Sequence, residues 1–153
     1  MLPADPPAYP LGMASPRSHD PWGEVFEGLK KLRASWPMRG WSWDTRLSCV
    51  TSSFGVQFEA EARASAAQGL PAEWTSSSLL RAPPRLRELA DKYGDVRSGQ
   101  LLFTGGSLDG NFAFGLWWPW GNGATISLRV GLADVHVNRD PYPRFREMFG
   151  VEV

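Results

Sequence analysis

The chain has 153 residues, 42% of them hydrophobic and 21% charged, and its 16 basic and 16 acidic side chains cancel. A chain of this size buries roughly 70% of the surface that its unfolded state exposes, so it folds as one domain without staples. Zero net charge and the lack of a dense Lys/Arg run exclude the basic footprint of a nucleic-acid binder, and the single cysteine, Cys49, excludes a disulfide framework. No apolar stretch reaches the ~18 residues of a membrane span, and no charged-then-apolar leader opens the chain, so a cytoplasmic protein is expected.

Residues 1–19 hold Pro3, Pro6, Pro7, Pro10 and Pro16 with few apolar neighbours, and read as a flexible tail ending at a solvated His19. Residues 20–153 read as a single α+β domain. Asp20 and Pro21 suit a helix start, and Trp22, Val25, Phe26, Leu29, Leu32 and Trp36 recur at helical spacing, which predicts a helix over 21–36 with that stripe in the core. Glu27 and Lys31 stand four apart in the favourable order on its polar side.

Leu47, Cys49 and Thr51 alternate with Arg46, Ser48 and Val50, which predicts a strand over 45–51, and Ser52-Ser53-Phe54-Gly55 reads as a turn. A second alternation, Val56, Phe58 and Ala60 against Gln57, Glu59 and Glu61, predicts a strand over 55–61 with a helical turn beyond it. The alanines from Ala60 to Ala67 argue instead for helix. Residues 72–82 read as irregular. Pro83-Pro84 opens a short helix containing Leu86, Leu89, Ala90 and Tyr93, with Gly94 as its left-handed cap.

Leu101-Leu102-Phe103-Thr104 is a short strand, and the loop Gly105-Gly106-Ser107-Leu108-Asp109-Gly110 leads to a strand over 112–118. Gly121-Asn122-Gly123 is a tight turn, and 125–132 is the return strand, so the three strands form an antiparallel meander. Pro119 cannot donate to a ladder and marks the end of its strand or an edge. Val135 and Val137 could continue a strand, and a last helix over 141–149 turns Phe145, Met148 and Phe149 inward, capped by Asp140. The expected fold is thus an antiparallel sheet of about four to six strands packed against two to three helices.

Chemistry-bearing motifs are sparse. Cys49 lies in an apolar run and reads as a buried thiol, and no serine occupies a Gly-x-Ser-x-Gly elbow. One cysteine and two histidines are too few for a zinc site, and the Gly105–Gly110 loop joins two strands and lacks the lysine of a phosphate-binding loop. Glu59 and Glu61 read as a solvent face. Asp134, His136 and Asn138 would share one strand face, a solvated one before a turn. No catalytic set, metal or cofactor is expected.

Aromatic content stands out, with eight tryptophans. Trp117 and Trp118 point to opposite faces of a regular strand, so one joins the core and the other, with Trp120, is expected in a groove or an exposed patch. The run Phe112-Ala113-Phe114-Gly115-Leu116-Trp117-Trp118, with Ser127-Leu128-Arg129-Val130-Gly131 returning, follows an amphipathic helix and a strand pair. In this the C-terminal half resembles the small cytoplasmic immunity proteins of bacterial toxin systems. The resemblance implies a non-enzymatic protein that occludes the active site of a partner toxin, with Trp118, Trp120, Asp109 and Asp134 as contacts. The full expected partner-binding set is Trp117, Trp118, Trp120, Asp109, Asp134 and His136. A small-molecule or carbohydrate platform built on surface tryptophans is the alternative, and an enzyme using His136 with Asp134 or Asp140 is a third reading.

Overall fold

The computed structural model describes residues 20–133 and 141–151. The tail over 1–19, the candidate residues Asp134 and His136, the continuation through Val135 and Val137 and the Asp140 cap all lie outside the described residues.

Helix α1 (Gly23–Ser35) follows an Asx turn in which Asp20 Oδ1 accepts the Trp22 N–H at 3.1 Å. Val25, Phe26, Leu29 and Leu32 are its buried face. On its polar side Glu27 pairs with Lys30 at 3.2 Å, not with Lys31. Strand β1 (Ser42–Asp44) turns into β2 (Cys49–Gly55), and a 3-10 turn (Val56–Phe58) leads to α2 (Glu59–Gly69).

Three expectations fail in this stretch. The strand expected over 45–51 is a turn through its first half, where Asp44 Oδ1 accepts the Arg46 and Leu47 N–H groups at 3.0 and 3.2 Å. The expected turn at Ser52–Gly55 is instead strand, with Ser52 buried beneath the Trp36 indole, which donates to its Oγ at 2.9 Å. The strand expected over 55–61 is mostly helix. Alanine propensity prevails over a chance period of two, because small Ala62, Ser65, Ala66 and Gly69 let α2 lie close on α1. Glu59 and Glu61 fall in the first turn of α2, where the helix dipole favours them, and form no strand face.

Strand β3 (Ala72–Trp74) replaces part of the segment read as irregular, and α3 (Pro84–Lys92) ends with Gly94 at φ 91°. The meander β4 (Leu101–Gly106), β5 (Phe112–Pro119) and β6 (Thr125–Ala133) follows, then α4 (Tyr142–Met148). Glycines 105 and 106, read as loop, belong to β4. Pro119 ends β5 without being at an edge. Trp120 donates its N–H to Thr125 of β6 at 2.8 Å, so the Pro119 nitrogen faces the β4 side, beyond the last β4–β5 pair, Leu101 with Trp117.

The six strands form one antiparallel sheet in the order β1-β2-β6-β5-β4-β3, an α+β arrangement with helices on both faces. Helices α1, α2 and α4 cover the first face, where Val50, Phe54, Phe103, Trp117, Leu128 and Val130 are buried. Helix α3 covers part of the second, over Leu102, Phe112, Phe114 and Leu116. Among the described residues no helix is long and apolar enough to cross a membrane.

Candidate partner-binding surface

Strand alternation separates the tryptophan pair. Trp117 points into the first face at 1% exposure, its ring 5.3 Å from Phe54 and 5.6 Å from Phe103. It belongs to the core and is withdrawn from the contact set. Trp36, Trp41 and Trp43 join the same layer, with Trp36 edge-on to Phe54 and tilted against Trp41, and Trp41 edge-on to Phe149.

Trp118 points to the second face and is partly buried. Its ring lies 4.8 Å from the Arg129 guanidinium carbon. Arg129 is held on both sides: Nη1 donates to Ser127 Oγ at 2.8 Å and Nε to Asp44 Oδ2 at 3.3 Å, so the Trp118 ring rests on a fixed cation. On the same face β2 presents Thr51, partly buried, and Ser53, exposed, opposite Arg129 and Ser127.

The Asp44–Arg129 pair keeps side-chain exposures of only 12% and 21%. Burial pushes the Asp44 carboxyl up, but the Leu47 N–H and the Arg129 guanidinium outweigh it and hold the group below its ordinary value of 3.8. A carboxyl depressed on folding adds stability above its unfolded pKa and loses it as pH falls through the folded one. Acid titration of the native chain should therefore release Arg129 and loosen Trp118 only at a pH below the ordinary carboxyl value of 3.8. Tryptophan fluorescence followed from pH 7 downward checks this, and Asp44→Asn should remove that transition.

Trp120 is 49% exposed at the β5–β6 turn. The turn is rigid: Asn122 Oδ1 accepts the N–H groups of Ala124 and Thr125 at 2.8 and 3.1 Å, and Gly123 takes φ 70°. Extending the β5–β6 register by the Trp120–Thr125 bond sets Trp120 on the Trp118 side. Val56, 41% exposed, comes to the same turn, since its N–H donates to Ala124 O at 3.0 Å. Sequence reasoning passed over Val56, Arg129 and Asp44. Val56 was counted on the apolar side of a strand, and the other two meet across 85 positions with no local signal.

Asp109 is exposed but stands apart. It sits in the Ser107–Gly110 turn, at the opposite end of β5 from Trp120, roughly 25 Å of strand away. The structure thus brings together Trp118 and Arg129 with Trp120 at the turn beyond them, sets Val56 at the same turn on the α2 side, beside Ala60 and Arg63, and leaves Asp109 and Trp117 elsewhere.

Cys49 is fully buried, and burial pushes its thiol up to about 12, which leaves it protonated at neutral pH. Among the described residues no group of three or more His, Cys, Asp or Glu side chains could hold a metal ion. Comparison of the chain with protein-family models, curated proteins and solved structures found no match.

Proposed function

We propose that this chain is a protein-binding module that docks a partner at the β5–β6 turn, through Trp118 and Trp120 with Val56 across the same turn, and that the partner is a toxin whose active site it occludes. One observation carries the reading. Two of the three large apolar side chains most exposed among the described residues, Trp120 and Val56, flank one rigid turn, Trp120 on the side of the partly buried Trp118 and Val56 on the side of α2. Exposed aromatic rings on a fixed scaffold are the usual anchors of protein interfaces, because they offer large apolar area at little entropy cost. Arg129, braced by Asp44, keeps the Trp118 ring in one orientation before any partner arrives. The immunity-protein reading adds to this the aromatic meander of the C-terminal half.

The test uses the product of the gene lying beside this one. The expected result is a stable complex with that product, and rescue of cells in which the product alone arrests growth. The double substitution Val56→Asp with Trp120→Ala should weaken the complex by at least about 30-fold, the loss of one hot spot, while the melting temperature stays near that of the parent. An unchanged affinity in this variant would remove the patch from the interface. A neighbour product that neither binds the chain nor harms the cell would remove the toxin.

A further inference from the structure

We infer that the cavity between α3 and the β1–β2 turn binds a small organic oxyanion, a carboxylate or phosphate carried on a flat apolar body. The cavity has a volume of about 540 Å³, inside the span of roughly 300–1,000 Å³ typical of small-ligand sites. Among the described residues Arg46 from the turn and Arg85 and Lys92 from α3 line it, against one carboxylate, Glu88.

Among the described residues the charge at this place is unbalanced. The ion pairs among the described residues join Glu27 to Lys30, Arg63 to Glu73, Asp44 to Arg129 and Asp20 to Arg144, so none of the three cavity cations is neutralised by one. Arg85 is the most constrained. Its Nη1 donates to the backbone carbonyls of Leu108 (2.7 Å) and Gly110, and its guanidinium carbon lies 4.8 Å from the Phe112 ring centre. Its Nη2 is shielded from solvent and has no hydrogen-bond partner. A half-buried guanidinium with one shielded, unmet donor is unfavourable by itself and raises the positive potential of the cavity beside it. An oxyanion in the cavity offsets that potential, with exposed Arg46 and with Lys92, whose ammonium lies 5.4 Å from the Tyr93 ring centre, beside it.

Most of the remaining wall is apolar, beside Ser48 and Tyr142, and it includes a flat ring. Tyr93 packs tilted against Phe114 at 5.3 Å, and its hydroxyl donates to Leu47 O at 3.4 Å, so the ring stands fixed between the turn and the sheet. Leu89 and Leu132 complete this side. A bare ion would leave it unused, which is why the ligand carries an apolar body. The cavity adjoins the Ala133 end of β6, remote from Trp120, so the inference does not depend on the partner-binding reading.

Amide NMR titrations of the full chain with phenyl phosphate, benzoate and inorganic phosphate, run separately, test it. One of the two aryl probes should saturate, with shifts concentrated at residues 46–49 and 85–93, and the stronger of them names the head group. Inorganic phosphate should bind at least about tenfold more weakly than that probe. Arg46→Glu with Lys92→Glu, both at exposed positions, should weaken the aryl probe at least about tenfold, with Lys92→Gln as the milder variant if the double one disturbs the spectrum elsewhere. Arg97→Glu, outside the cavity, should change nothing. The inference is overturned if neither aryl probe saturates, if the charge variants bind as the parent does, or if inorganic phosphate binds as tightly as the aryl probes.

Discussion

Trp117→Ala should destabilise the domain by about 3–5 kcal/mol, the cost of deleting a large aromatic from a packed core, and lower its melting temperature by roughly 10 °C or more. Trp120→Ala, three positions on, should change stability by no more than about 0.5 kcal/mol. The contrast follows from strand geometry. Trp117 lies at 1% exposure on the helix-covered face, between Phe54 and Phe103, and Phe54 continues through Trp36 and Trp41 to Phe149 on α1 and α4's side of the sheet. Removing its ring opens a cavity in the middle of that aromatic layer, where the neighbours are held by other rings and cannot collapse inward. Trp120 touches water over half its surface and is held by the turn's backbone, not by its ring. Urea unfolding of the two variants measures both. Equal losses would mean that Trp120 is packed as Trp117 is, and the docking reading of the patch would fall with that result.

The same geometry explains what could be read from sequence. The meander was legible because its signals are local: alternation on each strand and an Asn-Gly turn whose Asn122 side chain organises the backbone. Helix α1 was legible from its single apolar stripe. Strand β2 was misplaced because Ser52 and Ser53 look like turn residues. Ser52 is a core residue only by virtue of the Trp36 indole that reaches it from α1, and Ser53 faces the open side of the sheet. Helix α2 was half missed for a similar reason. Its buried face is Ala62, Ser65, Ala66 and Gly69, so the residues that pack it are small and leave almost no hydrophobic periodicity. Of the candidate surface, the separation of Trp117 from Trp118 follows from alternation alone. The brace beneath Trp118 does not, because Asp44 and Arg129 become neighbours only when β2 pairs with β6.

Small residues also set the second large effect. Gly105→Ala should cost about 2–3 kcal/mol, near the upper part of what overpacking one methyl into a rigid core costs. Gly28 of α1, Gly69 at the end of α2 and Gly105 of β4 stack through the molecule. A Cβ on Gly105 would lie 2.2 Å from the Gly69 carbonyl oxygen, and one on Gly69 would lie 2.4 Å from the Gly28 carbonyl oxygen. Both obstacles are backbone, so no side-chain rotation relieves them, and α2 must rise off the sheet or away from α1. That movement separates Ser65 from the Leu32 carbonyl that it caps at 2.9 Å and from Ser35 at 2.7 Å. Gly69→Ala should cost a similar amount, and the double variant should cost less than the sum, since one displacement of α2 relieves both clashes. Gly110→Ala, with nothing within 4 Å of the added methyl, is the control and should be nearly neutral. Thermal and urea unfolding of the four proteins decide it: a Gly105→Ala variant as stable as the Gly110→Ala control would show that α2 can lift from the sheet at no cost, and that the glycine stack does not set its height.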